Sequence, residues 1–152
     1  MKRAYSLLLV LTVASAVALA QDKPNFAGTW KLAGEAPDMM TAPQMVVVQD
    51  AKTLTVTSSS QMGEFKTPFN LDGTQTRAPI DFNGTTMDRV TKAAWSGNKL
   101  VLTTTAEFSG QSFETKMTWT LNTDGTLLIE STRPDFQGGG GPVTTKATYK
   151  KG

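Results

Sequence analysis

The side chains that most often perform catalysis are scarce in this chain of 152 residues. It contains no histidine and no cysteine, which removes the commonest general base and the thiol nucleophile. An enzyme would therefore need paired carboxylates or a hydroxyl–lysine arrangement. Asp50, Asp72 and Asp124 fall at turn positions, where an aspartate side chain usually caps local backbone. The sequence thus predicts a protein that is not an enzyme, with a carboxylate-based hydrolase as the weaker alternative.

Metal and cofactor sites are also weakly indicated. Asp81, Asn83 and Asp88 lie close together, but they lack the regular spacing of a calcium loop. Four glycines at 138–141 lie between two prolines and precede a strand-like stretch, whereas a phosphate cradle needs a following helix. We therefore predict no metal and no cofactor.

Large apolar side chains are the better candidates for a binding site. Aromatic residues recur on one face of the predicted strands, and methionines suit an adaptable apolar pocket, although ordinary core filling explains them equally. The predicted ligand contacts are Trp30, Met40, Phe65, Phe69, Trp95, Phe108, Phe113 and Trp119. Residues 36–43 are the candidate lid of such a pocket.

The elements that would position these residues are strands with one apolar and one polar face. In residues 111–121, Phe113, Met117, Trp119 and Leu121 alternate with Thr, Lys and Glu, the period of a half-buried strand. Eight or nine strands are predicted, at 26–32, 44–49, 53–59, 64–71, 87–95, 99–108, 111–121, 126–133 and 143–150. Closing an antiparallel up-and-down sheet into a barrel hides its apolar face and its edges, so we expect an all-β barrel; a two-sheet sandwich predicts the same alternation.

The first twenty residues have the three parts of a secretory signal peptide: Lys2 and Arg3, an apolar run, and the small-x-small site Ala18-Leu19-Ala20. We expect cleavage before Gln21, an exported chain in the periplasm or outside the cell, and one domain over 21–152 without a membrane span. The 15 Lys and Arg residues fall to 13 when Lys2 and Arg3 leave, equal to the 13 Asp and Glu. No net charge then attracts nucleic acid.

Residues 24–32 have the sequence Pro-Asn-Phe-Ala-Gly-Thr-Trp-Lys-Leu. This stretch resembles the first strand of the calycins: the lipocalins with Gly-x-Trp, and the fatty-acid-binding proteins with Phe-x-Gly-Thr-Trp-Lys. It is similar, too, to small exported bacterial proteins that begin Pro-Asn-Phe-x-Gly-Thr-Trp-Lys-Leu after a signal peptide and are described as lipocalin-like. The resemblance implies a lipocalin-like barrel whose closed end is plugged by Trp30.

Two departures from these families concern the ligand. Residues 33–43 are too few for the two lid helices of fatty-acid-binding proteins, and the Arg-x-Tyr of their last strand is matched by Ala147-Thr148-Tyr149, without the arginine. Lipocalins stack a basic side chain from late in the chain on the motif Trp, and Arg133 and Lys150 are the candidates here.

The sequence therefore predicts an exported, monomeric, lipocalin-like barrel that binds a small apolar or amphipathic molecule. The alternative is a barrel filled by its own side chains that acts as a protein-interaction or inhibitor-like module in the cell envelope.

Overall fold

The computed structural model describes residues 22–60, 63–82, 84–135 and 138–152, without the side chain of Phe82. The predicted signal peptide, 1–20, lies outside the described residues. Within these ranges the chain forms strands and connecting turns but no helix, and so no helix long and apolar enough to span a membrane. The eleven strands are β1 Gly28–Leu32, β2 Gln44–Gln49, β3 Thr53–Ser60, β4 Gly63–Asn70, β5 Gln75–Arg77, β6 Ile80–Phe82, β7 Thr85–Ser96, β8 Lys99–Phe108, β9 Gln111–Leu121, β10 Leu127–Arg133 and β11 Val143–Lys151.

The strands form a nearly closed antiparallel barrel. From β1 to β4, and again from β7 to β11, each strand pairs with the next one along the chain, and the first strand, β1, pairs with the last, β11. The short strands β5 and β6 both pair with β7. The interruption lies between β4 and β5, which no described ladder joins. There, Asn70 bridges the gap by hydrogen bonds, its amide donating to the Thr76 hydroxyl at 2.9 Å and its side chain to the Thr74 hydroxyl at 3.0 Å.

The structure has two more strands than the eight or nine predicted. The additional strands, β5 and β6, have three residues each and lie opposite different parts of β7. Ala78 and Pro79 separate them, and proline cannot donate a ladder hydrogen bond. The segment was therefore too short and too interrupted to show the period of a strand. Because β5 and β6 lie one after the other along the same edge of β7, they count as one strand of the barrel wall, which is therefore ten strands around.

Apolar side chains fill one end of the barrel, called the closed end here. Phe26 precedes β1 and is fully buried, stacked on Trp95 at 6.1 Å and edge-on to Trp119 at 5.6 Å between ring centroids. The side chain of Gln49 fixes this segment, because it accepts from the Phe26 amide at 2.8 Å and donates to the Pro24 carbonyl at 3.0 Å. The N-terminal segment thus serves as the floor of the barrel.

Lys151 of the last strand, β11, contacts both the glycine and the tryptophan of the Gly-x-Trp stretch. Trp30 is fully buried and its indole N–H donates to the Phe26 carbonyl at 2.8 Å. Lys151 lies opposite Trp30 in the β1–β11 ladder, and its ammonium lies 5.6 Å from the ring centroid. A Cβ on Gly28 would come within 3.0 Å of the Lys151 stem, and the φ of Gly28 is +139°. The basic partner of Trp30 is therefore Lys151, and the expectation of Arg133 or Lys150 was wrong.

Candidate functional site: the open half of the barrel interior

The inner face of strands β7 to β11 changes from apolar to polar along the barrel axis. The cross-strand register defines three successive rows of inward side chains. The floor row, toward the closed end, is Trp95, Leu100, Trp119, Ile129 and Ala147. The middle row is Ala93, Leu102, Met117, Ser131 and Thr145. The mouth row is Thr91, Thr104, Thr115, Arg133 and Val143, and beyond it lie Arg89, Ala106 and Phe113.

Solvent reaches most of the mouth row and the residues beyond it, although Thr91 of the mouth row is buried. Trp119, Leu100 and Leu102 are almost completely buried, whereas Thr115, Arg133 and other inward residues nearer the mouth, including Phe65, Met87 and Phe113, are only partly buried. A strand whose inward side chains lose burial toward one end borders an opening. The inward side chains are therefore packed toward the closed end and only partly buried toward the mouth. This partly buried part, called the open half here, combines aromatic, methionine, hydroxyl and guanidinium groups.

Two arginines contribute positive charge to the open half. Arg89 has the inward parity of the buried residues Thr91 and Ala93, and its Nε donates to the Ala78 carbonyl at 3.3 Å. Burial lowers the pKa of Arg89, which still remains a cation at neutral pH. Among the described residues no carboxylate lies within ion-pair distance of Arg89.

The second arginine, Arg133, forms an ion pair with the segment that follows β1. The lid segment, residues 36–43, follows β1, and its Asp38 carboxylate accepts from Arg133 Nη2 at 3.2 Å. The Asp38 and Arg133 side chains are only 15% and 24% exposed. Burial opposes ionisation of Asp38, but the hydrogen bond from Thr41 and the charge of Arg133 outweigh it, so the pKa of Asp38 is lowered. The Nε of Arg133 is buried and has no hydrogen-bond partner among the residues that the structure describes.

The lid segment is also tied at its C-terminal end. Tyr149 belongs to the buried core, and its hydroxyl donates to the Ala42 carbonyl at 2.9 Å. Burial, reinforced by the charge of Asp38, raises the pKa of Tyr149 to about 12, so the hydroxyl stays a donor at neutral pH. Met39 and Met40 are 90% and 75% exposed on the outer side of the lid.

The structure distributes the eight predicted contact residues over three environments. Trp30, Phe69 and Trp119 are buried in the core, and Trp95 packs partly buried against it. Phe65 and Phe113 lie partly buried nearer the mouth, on β4 and β9. Met40 and Phe108 are exposed, on the lid and at the β8–β9 hairpin. Of the eight, Phe65 and Phe113 are therefore the ones that border the open half, and ligand contact remains a prediction for all eight.

Sequence reasoning missed the polar residues of the open half. Arg89 lies on β7 among residues of mixed type, so no motif marked it. Arg133 was considered only as a partner of Trp30. Its pairing with Asp38, 95 residues away, depends on how the lid crosses the barrel mouth, which the strand pattern does not reveal.

Two surface depressions lie outside the barrel interior. One, of about 440 Å³, borders the floor and is lined by Lys23, Asn25, Gln49, Asp50, Ala51, Leu71 and Trp95. The other, of about 400 Å³, lies at the β8–β9 hairpin beside Asp88 and Glu107. In the described part of the chain, no group of three or more His, Cys, Asp and Glu side chains is arranged to hold a metal ion.

Comparisons with known proteins identify the fold. No protein-family model matches the chain, and no curated protein matches it. Among solved structures, the fluorescent protein UnaG is similar, with a TM-score of 0.55 and 20% identity over 84% of this chain and 97% of that one. A mutant of UnaG gives a TM-score of 0.52, also at 20% identity, over 84% and 96%. The chain thus has a calycin-like fold, which confirms the resemblance to calycins at the level of architecture.

Proposed function

We propose that this protein binds a small amphipathic molecule in the open half of its barrel. The observation that supports this is the polarity gradient of the inner wall: an apolar floor row, then hydroxyl and guanidinium groups at the mouth. Binding sites for small molecules are typically apolar clefts with a few placed polar groups. The apolar part of the ligand lies toward Met117 of the middle row, and its polar part lies toward the mouth row.

The proposal describes a carrier or receptor, not an enzyme, and a monomer that works after export. Export requires removal of residues 1–20, so the intact mass of protein recovered from outside the cytoplasm should correspond to a chain beginning at Gln21. Full-length mass in that fraction would contradict cleavage before Gln21, and absence of the protein from that fraction would contradict export. Neither result would affect the binding proposal, which concerns the barrel alone.

A neutral fluorescent probe tests the binding site directly. N-phenyl-1-naphthylamine becomes fluorescent in apolar surroundings, and we expect saturable binding to the purified protein. Ala106→Trp places a large ring on the inward side of β8 beside Phe113 and should weaken binding by about tenfold or more, since it fills the space that the probe needs. Thr105→Trp, on the outward side of the same strand, is the matched control and should leave the affinity unchanged. The melting temperature of both variants verifies that they fold.

Other outcomes would locate the probe elsewhere or contradict the proposal. Ala51→Trp changes the depression at the closed end, and a loss of binding caused by it alone would assign the probe to that depression. The absence of any probe binding would favour the second candidate, a filled barrel that acts as an interaction module. That candidate is supported by the completely packed floor and by Met39 and Met40, which the lid presents to solvent.

A further inference from the structure

Arg133 uses only part of its hydrogen-bonding capacity. A guanidinium presents Nε and Nη donors side by side, and a carboxylate accepts from both in the strongest arrangement. Asp38 accepts from Nη2 alone, at 3.2 Å, and leaves Nε buried without a partner. An unsatisfied buried donor is costly. An anionic group that accepts from both Nε and Nη2 of Arg133 would therefore satisfy the guanidinium better than Asp38 does.

The Asp38 carboxylate is held mainly by its own segment. Its Oδ1 accepts from the Met40 amide at 3.0 Å and from the Thr41 hydroxyl at 2.8 Å, so the lid folds around it. Its Oδ2 accepts from Arg133. In the described part of the chain, this ion pair ties the middle of the lid segment to the wall, while Tyr149 ties the end at Ala42. Breaking the pair would free the middle of the segment and leave its end anchored.

We infer that Asp38 stands in for the anionic group of a ligand on Arg133, so that a ligand carboxylate or sulfonate displaces it and releases the lid segment. This inference rests on the proposed function and adds the ligand class, an anionic amphiphile. Binding and lid release are then two parts of one exchange, in which Arg133 changes partner. The positive charge of Arg89, which has no acidic partner among the described residues, attracts the same class of molecule into the open half.

Two probes with the same ring system test the exchange. N-phenyl-1-naphthylamine is neutral, and 8-anilino-1-naphthalenesulfonate carries one sulfonate. Asp38→Asn keeps an oxygen for the Met40 amide and the Thr41 hydroxyl but removes the charge that competes for Arg133. We expect it to strengthen binding of the sulfonate probe by about three- to tenfold, as for the removal of one competing charged hydrogen bond, and to change binding of the neutral probe little.

Control variants separate the specific exchange from a general charge effect. Glu35→Gln removes an exposed carboxylate just before the lid segment and changes net charge by the same amount, so it should not alter the affinity for the sulfonate probe. Arg133→Gln should weaken sulfonate binding and abolish the gain that Asp38→Asn produces, as a double-mutant cycle will show. Arg133→Lys keeps the charge but not the fork, and should recover only part of the affinity.

Lid release is measured independently by hydrogen exchange of the amides in residues 38–42. The sulfonate probe should speed their exchange in the wild-type protein, and Asp38→Asn should speed it without any probe. Neutral-probe binding together with unchanged sulfonate affinity in Asp38→Asn would overturn the inference and leave the proposed function intact. Slower exchange of the lid with the sulfonate probe would also overturn it. Failure of both probes to bind any variant would overturn the proposed function and this inference together.

Discussion

At the scale of single residues, Gly28 and Trp30 occur together in β1 because both contact the side chain of Lys151. The Lys151 side chain crosses Gly28 on its way to the face of Trp30, so a Cβ on Gly28 would lie 3.0 Å from the lysine Cε and would displace it. The backbone of Gly28 is also in a region that other residues rarely adopt. The Gly-x-Trp motif therefore belongs to the contact between the first strand, β1, and the last strand, β11.

Gly28→Ala should destabilise the protein by about 1–3 kcal/mol, since strained backbone and a contact at the Lys151 stem add together. Urea unfolding followed by tryptophan fluorescence measures this change. Gly34→Ala is a useful comparison, because Gly34 also has a positive φ but no heavy atom lies within 4 Å of its would-be Cβ. Equal losses in the two variants would show that backbone strain, and not contact with Lys151, explains the glycine.

The partners of the charged residues Lys151 and Arg133 could not be predicted from the sequence. A cation near Trp30 was expected, but only the register of β1 against β11 shows that Lys151, and not Lys150, faces the ring. The Asp38–Arg133 pair likewise joins two segments that no local pattern connects. Such contacts depend on how distant segments meet when the sheet closes into a barrel. Hydrophobic alternation shows only which face of a strand is buried.

At the scale of elements, alternation located most strands to within about two residues. Strands such as β8 and β9 have one apolar and one polar face over ten or more residues, which is the clearest form of the signal. The two short strands β5 and β6 were missed because three residues cannot display a period. The lid segment was predicted from its length and composition, and the structure confirms that it contains no helix.

The β8–β9 hairpin contains the only residue other than glycine with positive φ in the described part of the chain. Ser109 (φ 52°) and Gly110 (φ 76°) form its two-residue turn, and asparagine is preferred over serine in this conformation. Ser109→Asn should therefore stabilise the protein by about 1 kcal/mol, which corresponds to about 2–4 °C in melting temperature. Ser109→Val should be destabilising by a similar amount. Thermal unfolding followed by circular dichroism tests both, and equal melting temperatures would contradict the assignment of strain to this turn.

At the scale of the whole molecule, the closed end is lined by three turns built on aspartates. The Asp72 carboxylate accepts from the hydroxyl and amide of Thr74, and Asp124 does the same with Thr126. Asp50 caps the β2–β3 turn, accepting from the Lys52 amide at 2.7 Å. These bonds lower the pKa of each carboxyl, mainly through the Thr hydroxyl at Asp72 and Asp124 and through the Lys52 amide at Asp50.

Stability should therefore decrease in acid. A carboxyl whose pKa is lower in the folded state stabilises the fold above its unfolded pKa, about 3.9, and that contribution is lost as the pH falls through the folded value. We expect the melting temperature to fall as the pH decreases below about 4, and to fall less steeply in Asp124→Asn. Glu35→Gln, which lies outside the turns, is the control. A melting temperature that is constant over this range would contradict the role of the aspartate turns.

The closed end also gathers the first and the last of the described residues. The N-terminal segment forms the floor there, and the Gly152 amide donates to the Thr29 carbonyl at 2.9 Å at the end of the last strand. A fluorescent label, affinity tag or surface linker attached at Gly152 would therefore extend away from the lid segment. Immobilised in this way, every copy would face the bulk solution with its entrance unobstructed, a favourable orientation for surface-based measurements of small solutes.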